Sequence, residues 1–135
     1  MPEAGAFLIF VSSLSNFILL VALFMKADFR TLTKFAALGC VSLSFSFLIL
    51  LLLFFFDRFD VLTVWQHSEE GLPWLFKISA SWSGMNGSLL LWGCLHSWFC
   101  YLASAKYPSR NGFFFSSVSG AFYCAVVLIW FNPFQ

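Results

Sequence analysis

Phe35–Phe56 reads FAALGCVSLSFSFLILLLLFFF, twenty-two consecutive residues without one Asp, Glu, Lys or Arg. At about 1.5 Å per residue a helix of this length spans roughly 33 Å, enough to cross a hydrocarbon core of about 30 Å. A barrel strand is excluded, because apolar side chains fill the run without the polar alternation a barrel needs. A helix apolar on every side must also be buried on every side. A chain of 135 residues has too little protein to do that alone. Lipid must supply the rest.

Outward from this run, three more of the same kind follow: Ala4–Met25, Gly84–Ala105 and Phe113–Phe131, each 19 to 22 residues and free of charge. The chain is 61% hydrophobic and 10% charged, with a mean hydropathy of +0.88. Soluble domains carry about 25% charged residues. The sequence therefore predicts one all-α integral membrane domain over 1–135. It has four transmembrane helices and an outward-facing amphipathic segment, 57–83, between the second and third. The first run starts almost at once, with no basic n-region ahead of it, so it reads as a retained span and not a cleaved signal peptide.

Charge placement orients the spans. The connections Lys26–Lys34 and Lys106–Gly112 hold Lys26, Arg30, Lys34, Lys106 and Arg110 against Asp28. The opposite side holds Glu3, Asp57, Asp60, Glu69 and Glu70 against Arg58 and Lys77. By the positive-inside rule, the termini and 57–83 face outward, to periplasm or intermembrane space.

Within the spans, Cys40, Cys94, Cys100 and Cys124 form no C-x-x-C and read as small packing hydrophobes. His96 is the one histidine in a span, too few for bis-histidine haem ligation by this chain. An interhelical hydrogen bond or a proton- or haem-related role are its two readings. Small residues recur at helical spacing: Gly39, Ser42 and Ser46; Gly93, Ser97, Cys100 and Ser104; Ser117, Gly120 or Ala121, and Cys124. Such stripes let helix backbones approach closely. No Walker loop, H-E-x-x-H or G-x-S-x-G occurs. No basic patch suits nucleic acid, and none is expected as a partner.

The outward segment carries Trp65, Trp74 and Trp82, and His67 beside Glu69 and Glu70. Two readings of it stand side by side. Indoles favour the membrane–water boundary, so the stretch after Pro73 suits an interfacial helix. A flat apolar shelf of indoles also suits a macrocycle such as haem, with Lys77 or Arg58 meeting its propionates.

Three stretches together resemble a known family. The start, Met1-Pro2-Glu3-Ala4-Gly5-Ala6-Phe7, is similar to a P-E-x-G-x-F opening. Leu72-Pro73-Trp74-Leu75-Phe76-Lys77-Ile78-Ser79-Ala80-Ser81-Trp82, then Gly87-Ser88-Leu89-Leu90-Leu91-Trp92, is similar to L-P-x-x-[YF]-[KR]-[IV]-[SA]-A-x-W followed by G-S-[LM]-L-L-W. The close, Asn132-Pro133-Phe134, is similar to the family's N-P-F. The chain resembles the amino-terminal part of the haem lyase component of cytochrome c maturation, the CcmF/NrfE family. At the entrance to the third span the family's W-G-x-H-E-G-S pattern departs to Met85 and Asn86, which puts any proton or charge role of that pair in doubt.

The resemblance implies a subunit of a haem lyase assembly with haem as the group handled. The expected partners are a separate polypeptide bearing the tryptophan-rich segment and the haem-ligating histidines, apocytochrome c, haem-delivery proteins and membrane lipid. Trp65, Trp74, Lys77, Trp82, Gly87, Ser88 and Trp92 are expected to form the outward surface meeting haem or its carriers. No catalytic residue can be named. A split mitochondrial form in the inner membrane, N-terminus toward the intermembrane space, is the expected setting, with a bacterial inner-membrane form as the alternative. A structural or assembly subunit of a respiratory or transport complex, without haem contact, is the competing function.

Overall fold

The computed structural model describes all of residues 1–135. The chain is helical throughout: α1 (Pro2–Phe24), α2 (Phe29–Phe55), α3 (Leu62–His67), α4 (Trp74–Ser83), α5 (Met85–Lys106) and α6 (Arg110–Trp130). α1 and α5 each pack against both α2 and α6, which closes the four long helices into a bundle. The short connections α1–α2 and α5–α6 make those neighbours antiparallel.

Local chemistry sets the ends. Pro2 stands at the start of α1, where its missing N–H costs nothing. α1 ends as Ala27 N–H reaches the Ala22 carbonyl and Lys26 N–H that of Leu23, with Lys26 left-handed at φ 58°. α2 ends the same way through Arg58 to Leu53 and Asp57 to Phe54, with Asp57 at φ 52°. This paired-bond stop usually falls to glycine. Asp28 caps α2 by accepting from Thr31 N–H at 3.2 Å, and Ser109 caps α6 by accepting from Gly112 N–H at 3.0 Å. The Asp28 cap lets α2 begin at Phe29, six residues ahead of the apolar run.

Apolar side chains cover the outside of the bundle as well as fill its core. Only 35 of 135 residues are buried, and Phe7, Phe17, Phe99, Phe115 and Phe122 stand more than half exposed on the outside. Inside lie Ser12, Ser15, Asn16, Ser46 and Ser117. Their hydroxyls tie helix to helix: Ser12 donates to the Gly39 carbonyl at 2.9 Å, Ser15 to Phe35 at 2.7 Å and Ser46 to Gly5 at 2.8 Å. Each such bond contributes about 0.6 kcal/mol where lipid replaces water. The small-residue stripes of α2 and α6 are used here, since Gly39 and Gly120 both lie against Asn16.

This is an all-α integral membrane fold. Three helices, α1, α2 and α6, are long and apolar enough to cross a membrane. α5 has the length, 22 residues, but Asn86, Ser88, His96, Ser97 and Ser104 dilute its hydropathy. The expected third span is thus the one that composition supports least.

Candidate functional site

The segment expected as one amphipathic stretch folds as two short helices, α3 and α4, joined through Gly71 at φ 86°. α4 packs on α2 and α5 at the bundle end that also holds both termini. There Phe134 occupies the space a Gly5 side chain would need, and Leu62 N–H donates to the Gln135 carbonyl at 2.6 Å.

α4 is amphipathic with the usual sides exchanged. Lys77, Ala80 and Ser81 face the bundle, and Trp74, Leu75, Phe76 and Trp82 face outward at 58, 61, 61 and 39% exposure. A lysine takes the inner side because Asp57 waits there. Lys77 Nζ donates to Asp57 Oδ2 at 2.5 Å, with the two side chains only 11 and 28% exposed. Asp57 Oδ1 is buried without a hydrogen-bond partner. Asp57 comes from the left-handed stop of α2, so the end of that long helix holds α4 in place.

The other cation of the segment is also committed. Arg58 grips Asp60 through Nε and Nη2, both at 2.8 Å. The hydrogen bond from Arg58 holds the Asp60 carboxyl below the usual carboxylate range, and the same bond raises the guanidinium. Neither Lys77 nor Arg58 stands free for a propionate.

The corner from α4 to α5 turns on Gly84 alone. The His67 ring fills the space a Gly84 side chain would occupy, and His67 Nδ1 lies 3.0 Å from the Thr63 carbonyl. Gly87 is buried with the Ser81 carbonyl directly over its Cα. Ser88 bonds back to the Met85 carbonyl at 3.1 Å, within its own helix. Gly87 and Ser88 therefore build the corner.

The indoles are outward but dispersed. Trp65 on α3 is 65% exposed, and Trp92, two turns into α5, is 64% exposed. None of Trp65, Trp74, Trp82 and Trp92 stacks on another ring, and none lines a cavity. What the structure offers is one continuous apolar face on α4. The residue missed from sequence is Asp57, twenty positions from its partner, with no local signal beyond a carboxylate placed directly after Phe54-Phe55-Phe56.

His96 makes an interhelical bond. His96 Nε2 lies 2.9 Å from Ser119 Oγ, and that hydroxyl also reaches the Phe115 carbonyl at 2.7 Å and the Ser116 carbonyl at 3.2 Å. Its ring stacks on Tyr123 with centroids 6.1 Å apart.

No protein-family model matches the chain. Individual proteins do. It is 33% identical over 110 residues to the probable cytochrome c-type biogenesis protein NrfE of Escherichia coli (strain K12), covering 72% of this chain and 20% of that protein. It is 30% identical over 157 aligned positions to the cytochrome c-type biogenesis protein NrfE of Haemophilus influenzae, covering 99% of this chain and 23% of that protein. A solved structure titled cytochrome c heme lyase CcmF superposes on 100% of this chain with a TM-score of 0.82 at 22% identity, using 24% of its own length. The fold is thus that of a part of CcmF, and the chain spans about a fifth to a quarter of the proteins it matches. By sequence and fold together, the chain belongs to the cytochrome c haem lyase family of NrfE and CcmF proteins.

Proposed function

We propose that this chain is the amino-terminal, four-span subunit of a haem lyase assembly in c-type cytochrome biogenesis. Kinship to a cytochrome c-type biogenesis protein over 99% of the chain carries this reading. The assembly joins haem, its substrate, to apocytochrome c at the outer face of the membrane. A cysteine S–H adds across a haem vinyl group, sulfur to one carbon and hydrogen to the other, leaving a thioether. The chain sits in an inner membrane, with 57–83 and both termini outward. The gathering of Lys26, Arg30, Lys34, Lys106 and Arg110 into the two opposite connections supports that orientation.

The fit to haem is partial. His96 is bonded within the fold, and the two outward cations are paired. The chain's own residues offer an apolar face without a propionate clamp. Its part is to present α4, with Trp74 and Trp82 outward, as a wall for haem or its carriers. Iron ligation falls to the separate partner with the tryptophan-rich segment and histidines. Haem-delivery proteins approach the same side. The paired cations also favour the competing reading, an assembly subunit that never touches haem.

Deleting the gene and staining membranes for covalent haem tests the function, with loss of c-type cytochromes expected. Trp74→Ala with Trp82→Ala should keep the chain at normal abundance and lower that yield. Copurification of the intact chain with the tryptophan-rich partner and a Soret band supports haem handling, whereas recovery with respiratory subunits alone would reject it.

A further inference from the structure

We propose that the groove between α5 and α6 is a binding site for an anionic phospholipid, one acyl chain lying in the groove and the headgroup meeting Lys106. A cavity of about 530 Å³ opens there, lined by His96, Cys100, Ser104 and Tyr107 on one side and Ser116 and Ser119 on the other. That volume falls within the range of small-ligand sites.

Its length selects the occupant. From His96 to Tyr107 is eleven helical steps, roughly 16 Å. Half of a 30 Å hydrocarbon core is about 15 Å, the depth one leaflet's chains reach. Beyond His96 the helices close, because Tyr123 stacks on His96 and lies where a Gly93 side chain would touch it at 3.0 Å. A docking helix needs a channel along the whole bundle, and this one stops halfway.

The exposed wall is mostly apolar. His96 Nε2 and Ser119 Oγ lie 2.9 Å apart and Ser119 Oγ also reaches the Phe115 carbonyl, so an aliphatic chain leaves this pair bonded. The mouth lies at the basic end. Arg110 is spoken for, donating to the Leu23 and Ala27 carbonyls at 3.4 and 3.1 Å and lying over Phe29. Lys106 makes no ion pair, and its ammonium rests 5.4 Å from the ring of Tyr107, a lining residue. A basic residue at the mouth of an interhelical groove recognises an anionic headgroup.

The site rests on the four-span arrangement proposed above. Cys100 provides the probe, since it lines the groove while Cys40, Cys94 and Cys124 are buried. The intact chain is purified in detergent, and Cys100 alkylation by N-ethylmaleimide is followed by mass spectrometry against dioleoyl phosphatidylglycerol or dioleoyl phosphatidylcholine. Phosphatidylglycerol should protect at about fivefold lower concentration, the preference one lysine confers. Lys106→Gln should erase that preference while the choline lipid still protects. Equal protection by both lipids in the unaltered chain overturns the proposal. So does protection by neither, or a crosslink from Cys100 to another polypeptide in native membranes. Labelling of Asn111→Cys by an impermeant maleimide in sealed vesicles reports the sidedness separately. A wrong-sided loop would sink the four-span reading while the detergent titration judged the groove by itself.

Discussion

The Lys77→Met substitution isolates the contact that holds α4 in place. It keeps the length and most of the volume of the side chain and removes the charge. Asp57 Oδ1 already lacks a partner, so the variant strips the carboxylate of its remaining donor, Lys77 Nζ on Oδ2. Breaking a fully buried ion pair costs 3–5 kcal/mol, and exposed pairs are worth less than 1. With the two side chains 11 and 28% exposed, the pair lies nearer the buried limit, and we expect a loss of about 2–3 kcal/mol. That shifts the docked–undocked balance of α4 by about 30- to 150-fold, because each 1.4 kcal/mol is tenfold. Amide hydrogen exchange of the purified chain reads this directly. Protection of the α4 amides should fall by that factor while α2 and α6 hold theirs. Asp57→Asn is the matching partner change, since Asn also tolerates φ near 52°. The double variant should lose less than the sum of the two single ones, as for residues in direct contact. Unchanged α4 protection in Lys77→Met, or strict additivity in the double variant, would refute this account.

Gly87→Ala should prevent normal accumulation of the chain, because its methyl group meets the fixed Ser81 carbonyl. Ser88→Ala should be nearly silent in the same immunoblot, having only a local bond to lose. The Thr31 hydrogen bonds hold the Asp28 carboxyl below its usual range. Its contribution to the start of α2 is therefore full above about pH 3.9, the unfolded value, and is lost as pH falls through the lower folded one. Exchange of the first amides of α2 should speed up only in that acid window, and Asp28→Ala should abolish the dependence. Reporter fusions should place Gln66 outside and Asn111 inside the membrane, and a reporter at Trp74 facing cytoplasm or matrix would overturn the orientation.

The membrane class, the long apolar runs and the indole-bearing segment were legible in the sequence because each is a local property, as the twenty-two uncharged residues at Phe35–Phe56 show. The caps Asp28 and Ser109 lie outside the apolar runs, so α2 begins six residues ahead of the expected span. α5 is the instructive exception among the long helices. Its serines, Asn86 and His96 weaken the apolar signal because the bundle uses part of this helix for contacts that composition cannot foresee.

The outward residues divide along the same line. That Trp74 and Trp82 lie on a short amphipathic helix follows from spacing and Pro73. Which side of that helix turns inward does not, because hydropathy would send Lys77 out and the indoles in. Asp57 reverses the choice, and its position comes from the left-handed stop of α2, twenty residues away along the chain. Likewise the serine stripes promised close packing, and only the assembled bundle decided that Gly39 and Gly120 both meet Asn16 and that α5 and α6 part below His96. Sequence alone set what is local, namely propensity, caps and total hydropathy. The pairing of groups far apart in the chain depends on how the helices rotate against one another, and that was settled in three dimensions.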